Sequence, residues 1–134
     1  MKWLIPLLLL ANTAVADVAT AVAIRGDVYA NDVKISQGSA LKVHDHIITN
    51  DKSFVVLQFV DGARVTVRPD SHFVIEEYSY LEGDDRGRFD LVSGGLRIVT
   101  GAIAKTDPDN YTLSTPVALM GVRGTEFSIQ LMED

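Results

Sequence analysis

From residue 17 onward no long stretch of this chain keeps a helical period. Apolar residues come instead in short runs, alternating or continuous, cut apart by Gly, Asn, Asp and Ser at roughly 8 to 12 residue intervals. That rhythm predicts an all-β chain, and the pattern by itself leaves a β-sandwich, a small barrel and a solenoid open. The 134 residues, 47% of them hydrophobic, suit one domain over residues 17–134. With no cysteine, the fold must be held by packing rather than disulfides, and thiolate chemistry is excluded. A formal charge of −6 argues against nucleic acid, whose phosphates need a clustered basic face.

Residues 1–16 read as a signal peptide: Lys2, an apolar run over residues 3–11, then Ala14-Val15-Ala16 in the small-x-small form of a cleavage site. The run is shorter than the ~20 residues a membrane helix needs, and no later segment approaches that length. The expectation is therefore an exported, periplasmic chain with no membrane span after cleavage.

Along the body, Arg25-Gly26-Asp27 and Asn31-Asp32 read as turns. Residues 54–60 are apolar on nearly both faces and predict a central strand covered on two sides. Asp61-Gly62 breaks that run, and residues 63–68 alternate with Ala63, Val65 and Val67 inward. Two such runs joined by Asp-Gly predict a hairpin with a type I′ turn. Residues 72–78 place Phe73 and Ile75 on one face and Val74 and Tyr78 on the other. Residues 82–87 read as an acidic loop, residues 101–105 as one helical turn, and residues 127–131 as a strand with Phe127, Ile129 and Leu131 inward.

The most individual stretch is 114–127, Ser-Thr-Pro-Val-Ala-Leu-Met-Gly-Val-Arg-Gly-Thr-Glu-Phe. Pro116 fixes its own φ and pushes Thr115 into extended backbone, while Gly121 and Gly124 supply freedom three residues apart. Arg123 between them has two readings. As structure, it is a buried guanidinium that pins the bend, with Asp45 or Glu126 as partner; as function, it lies on a surface read by another protein or an acidic ligand.

Thr115-Pro116-Val117-Ala118 followed by Gly121-Val122-Arg123-Gly124-Thr125-Glu126-Phe127 resembles the signature of FecR domains, periplasmic regulators named after the ferric-citrate signalling protein. Asp45-His46-Ile47-Ile48-Thr49 and the strand, Asp-Gly, strand and Pro-x-Ser turn of residues 54–71 resemble the same family. The resemblance implies a compact β-solenoid or roll of short strands. Full FecR regulators join a cytoplasmic anti-sigma segment and a membrane helix to a periplasmic part, and this sequence resembles only the last. Many FecR domains also continue past the Gly-Thr-x-Phe strand into a valine- and glycine-rich hairpin that is missing here, so the last coil is expected to be absent or completed by a neighbour.

No Gly-x-Ser-x-Gly, His-Glu-x-x-His or P-loop is present. Glu76-Glu77 and Asp84-Asp85 are adjacent pairs whose carboxylates point apart. The expectation is no enzyme and no cofactor. His44, Asp45 and His46 invite a metal, but on a strand only the two histidines would share a face, so a solvated turn without metal is expected. The resemblance implies a protein-interaction and signalling module of the cell envelope. It would bind an envelope protein, or itself, through the edge strand carrying Phe127, Ile129 and Leu131, and Ile129→Pro is the change expected to remove a ladder donor. The alternative is a periplasmic receptor for a sugar or metal chelate that uses Tyr78, Tyr80 and the acidic loop. N-terminal sequencing of the exported protein should read Asp17 first; an unprocessed start at Met1 would overturn the cleavage.

Overall fold

The computed structural model describes residues 16–81 and 83–132. The leader up to residue 15, and Glu82 of the acidic loop, lie outside the described residues. Ten strands come first: β1 (Asp17–Arg25), β2 (Val28–Ala30), β3 (Val33–Lys34), β4 (Ala40–Lys42), β5 (His46–Thr49), β6 (Phe54–Phe59), β7 (Arg64–Val67), β8 (His72–Ser79), β9 (Arg86–Ser93) and β10 (Gly95–Val99). A short helix α1 (Ala102–Thr106) and a 3-10 turn (Pro108–Asn110) lead to β11 (Tyr111–Ser114), β12 (Leu119–Gly121) and β13 (Glu126–Gln130).

The chain is all-β, in two sheets. The first runs β13-β10-β7-β6-β1-β4 and the second β12-β11-β9-β8-β5-β2-β3, and neither closes into a barrel. A solenoid stacks parallel strands; here β9 and β11 pair that way and the other pairings are antiparallel. One core fills the space between the sheets. Leu57, Phe59, Val65 and Ile98 enter it from the first sheet, and Phe73, Ile75, Phe89 and Leu113 from the second. Phe59 crosses the gap, its ring 5.0 Å from Tyr78 and 5.2 Å from Phe89, and Phe89 meets Tyr111 edge-on at 5.5 Å.

Three local expectations change. Strand β6 is central, but its outward Phe54 and Val56 are only half-buried and Gln58 is exposed, so one face is covered rather than two. The β6–β7 connection is a hairpin but not a type I′ turn. Phe59 N–H donates to the Ala63 carbonyl (2.8 Å) and Gly62 N–H to the Phe59 carbonyl (3.0 Å), which encloses three residues. Only Gly62 of these takes a left-handed φ, +92°, as in a three-residue loop ending in a glycine bulge. Tyr78 faces the core with Phe73 and Ile75, because the β8–β9 register shifts between Ile75 and Glu77. The extra residue of a bulge returns an even-numbered side chain to the odd-numbered face.

That hairpin aims Asp61 inward. Its Oδ1 accepts the Tyr78 hydroxyl (2.7 Å) and Ala63 N–H (3.1 Å), while Oδ2 accepts Ile103 N–H (3.2 Å). The Asp61 carbonyl accepts Ala102 N–H at 3.0 Å, and its own N–H donates to Tyr78 Oη at 3.2 Å. Helix α1 has no side-chain cap at Gly101, so a residue from another hairpin satisfies its first N–H groups. The approach is close enough that a Cβ on Gly101 would lie 2.5 Å from Ala63 N and 2.6 Å from the Asp61 carbonyl oxygen. Asp61→Ala should cost on the order of 3 kcal/mol by leaving several buried donors unpaired, and Tyr78→Phe about 1 kcal/mol. Urea unfolding of both variants tests this, and near-native stability of Asp61→Ala would remove the carboxylate from its central place.

Candidate interaction surface

Four strands end the two sheets. Three are short: β3 has two residues, β4 three and β12 three. The fourth, β13, has five and pairs among the described residues with β10 alone. Phe127 and Ile129 lean half-buried towards the core, as does Leu131 just beyond the strand, while Glu126, Ser128 and Gln130 are exposed. Leu131 N–H donates to the Gly94 carbonyl (2.8 Å), and Thr100 N–H donates to the Thr125 carbonyl (2.9 Å). Backbone direction alternates along an antiparallel strand, so Phe127 and Ile129 also turn their N–H groups to β10. The outward ladder belongs to Glu126, Ser128 and Gln130. Ile129→Pro would therefore break the sheet from within, and Ser128 is the residue whose donor faces the open edge.

Edge strands are usually protected by lysine, proline, a bulge or brevity. Strand β13 has none of these. Its one charged residue, Glu126, is held by Arg97, with Oε1 2.6 Å from Nη2 and 2.7 Å from Nε. Beyond the strand's end lies a groove of about 530 Å³, lined by Val92, Pro116, Val117, Ile129, Leu131 and Met132. Val117 and Met132 are each 87% exposed. Three segments distant in sequence build this groove, so no single stretch announces it.

The motif of residues 114–127 divides between structure and surface. Thr115 is buried and organises its own turn: its N–H donates to the Ala118 carbonyl (2.8 Å), and its hydroxyl oxygen accepts from Ala118 N–H (3.1 Å) and Val117 N–H (3.3 Å). Pro116 and Val117 at the tip of that turn form one wall of the groove. Val122 is fully buried in the core. Gly124 has φ +90°, and its carbonyl accepts the Thr100 hydroxyl at 2.7 Å; the neighbouring Thr125 carbonyl accepts the same group at 3.2 Å. Gly121 lies in β12 with open space where a Cβ would stand, so nothing there requires glycine.

Arg123 is not buried. Its side chain is 72% exposed and its Nη2 meets Asp109 Oδ1 at 2.6 Å, with neither proposed partner involved. The reason lies in the two carboxylates themselves. Glu126 is taken by Arg97, and Asp45 accepts Asn31 Nδ2 and Lys42 N–H, each at 2.8 Å. The alternation of β12 and its flanks puts Val122, not Arg123, into the core.

The histidines also regroup. His44 sits in a turn at φ +75°, its N–H donating to the Ile75 carbonyl at 2.6 Å. His46 turns away from it, and its Nδ1 lies 2.8 Å from Nε2 of His72. Partial burial and then the His46 ring push the His72 imidazole below the ordinary histidine range, against a weaker pull from Asp90. Sequence spacing could not find this pair, because a β5–β8 pairing across 26 residues makes it. Of the aromatic residues expected to meet a ligand, Tyr80 is 44% exposed, but Tyr78 is buried. Burial, followed by the Asp61 hydrogen bond, drives its phenol far above the ordinary tyrosine range.

A family model described as FecR protein matches residues 45–134. No curated protein and no solved structure is matched. The matched part begins just before β5, and the preceding β1 and β2 pair with β6 and β5 at one end of the two sheets.

Within the motif, burial and not charge should set stability. Val122→Ala should lose about 2 kcal/mol, whereas Arg123→Ala should stay within about 0.5 kcal/mol of the parent. Thermal unfolding of the pair decides it, and a larger loss for Arg123→Ala would restore the structural role.

Proposed function

Since the chain belongs to the FecR protein family, we propose that it works as an exported, non-enzymatic signalling module that docks an envelope protein by strand addition to β13. The observation that carries this reading is the asymmetry of the sheets. One end is covered by β1, β2 and the short, lysine-bearing β3 and β4, and the other presents the five-residue β13 with an unprotected ladder. A partner strand would bond the N–H and carbonyl groups of Glu126, Ser128 and Gln130. An apolar side chain just past its end would enter the groove beside Val117 and Met132. Backbone ladder bonds supply affinity in this mode, and such a pocket supplies choice of partner.

The chain visits both sheets in turn, and its later strands, from β5 and β6 to β12 and β13, are added towards one end. That winding fits the compact roll implied by the family resemblance. Placement in the periplasm rests on the leader-like residues 2–16 and on the resemblance. Among the described residues no helix is long and apolar enough to cross a membrane.

Ser128→Pro should abolish crosslinking to an envelope partner while the far-ultraviolet spectrum and unfolding midpoint stay near the parent's, because proline removes only the outward donor. Undiminished capture by a folded Ser128→Pro protein would sink the docking mode. If the parent crosslinks only to itself and Ser128→Pro does not, the partner strand is a second β13.

A further inference from the structure

We propose that His46 and His72 form a two-imidazole site for a tetragonal divalent transition metal, Cu(II) foremost, on the outer face of the second sheet. The inference is independent of the docking mode. Strands β5 and β8 pair antiparallel with Ile48 opposite His72 and His46 opposite Val74. The two histidines are thus diagonal neighbours on the face turned away from the core, a spacing that long side chains bridge. Their facing nitrogens are 2.8 Å apart, with ring centroids at 5.0 Å and planes inclined by 49°.

That separation is an N–H···N hydrogen bond, and it brings both rings within reach of one ion. Two metal–nitrogen bonds of about 2.0–2.1 Å meeting at a right angle hold their nitrogens about 2.9 Å apart, whereas a tetrahedral angle needs about 3.3 Å. Rings that turn about χ2 from this contact reach either spacing, so affinity names the ion: imidazole nitrogen suits Cu(II), which stands highest in the affinity order for nitrogen ligands and prefers a tetragonal site. In the metal-free pair, one ring donates an N–H to the other. To bind, that ring moves its proton to its second nitrogen, so that His46 carries hydrogen on Nε2 and His72 on Nδ1. Both rings then turn about χ2 until the Nδ1 and Nε2 lone pairs converge on the ion. Between neutral rings no net proton is released.

Asp90, opposite Val74 on β9, places a carboxylate on the same face. Among the described residues no group of three or more potential ligands converges, so water completes the coordination and the ion stays exchangeable. His44 is an internal control. It is two residues from His46, but in a turn at φ +75° and outside the pair.

Untagged protein titrated with Cu(II) by calorimetry should bind one ion saturably, and electron paramagnetic resonance should show tetragonal Cu(II) with nitrogen ligands. His46→Gln and His72→Gln should each weaken binding on the order of tenfold or more, while His44→Gln leaves it unchanged. Circular dichroism should show all three variants folded, since none of the side chains reaches the core. Absence of saturable binding would overturn the proposal, as would parental affinity in His46→Gln or His72→Gln, or an equal loss in His44→Gln.

Discussion

A single carboxylate joins the parts of this domain. Asp61 sits in the loop of the β6–β7 hairpin of the first sheet, yet its acceptors serve Tyr78 on β8 of the second sheet and the opening N–H groups of α1. A five-residue helix cannot hold itself together in water, because nucleating one turn costs more than its few hydrogen bonds return. Here the N-terminal donors meet a partner 42 residues away in sequence. The helix is thereby fixed where the chain leaves β10 and crosses to β11.

A second polar joint lies at the opposite turn of the same strands. The Thr49 hydroxyl donates to the Arg68 carbonyl (2.6 Å) and accepts Ser71 N–H (3.0 Å). The Ser71 hydroxyl accepts Gly95 N–H at 2.9 Å. These groups are buried or nearly so, where an unpaired donor would be costly, so the bonds hold β5, β7, β8 and β10 to one register. The ion pairs, by contrast, lie on the surface, as in Lys34–Asp27 and Arg123–Asp109. Exposed pairs of this kind contribute little. The buried polar groups thus fix the register, and β13, the longest of the four strands that end the sheets among the described residues, is a ladder already ordered by its pairing with β10.

The two surfaces argued to bind are different in kind. At β13 the recognising groups are backbone N–H and carbonyl groups, which every protein strand can match, and selectivity is left to the groove of Val92, Pro116, Val117 and Met132. On the outer face of the second sheet the recognising groups are two side chains whose relation is set by the β5–β8 register. The FecR-like motif contributes to the first surface through the turn at Pro116 and Val117. Its most conspicuous residue, Arg123, contributes to neither.

Much of the fold was legible beforehand. Alternation located the inward residues of β7 and β13, the Asp-Gly dipeptide marked a hairpin, and residues 101–105 showed a helical turn, since each depends on neighbours within a few positions. The same local rules failed where one residue changes the count. The bulge after Ile75 put Tyr78 on the opposite face from the one its position implied, and Val122 took the buried place expected of Arg123. By itself, the sequence determined that this chain is all-β and a member of the FecR family by motif. Only the tertiary structure decided which N–H groups of the edge strand β13 face outward, and that His46 meets His72 rather than His44. Those facts follow from strand register between distant segments, and register is a property of pairing that no single stretch contains.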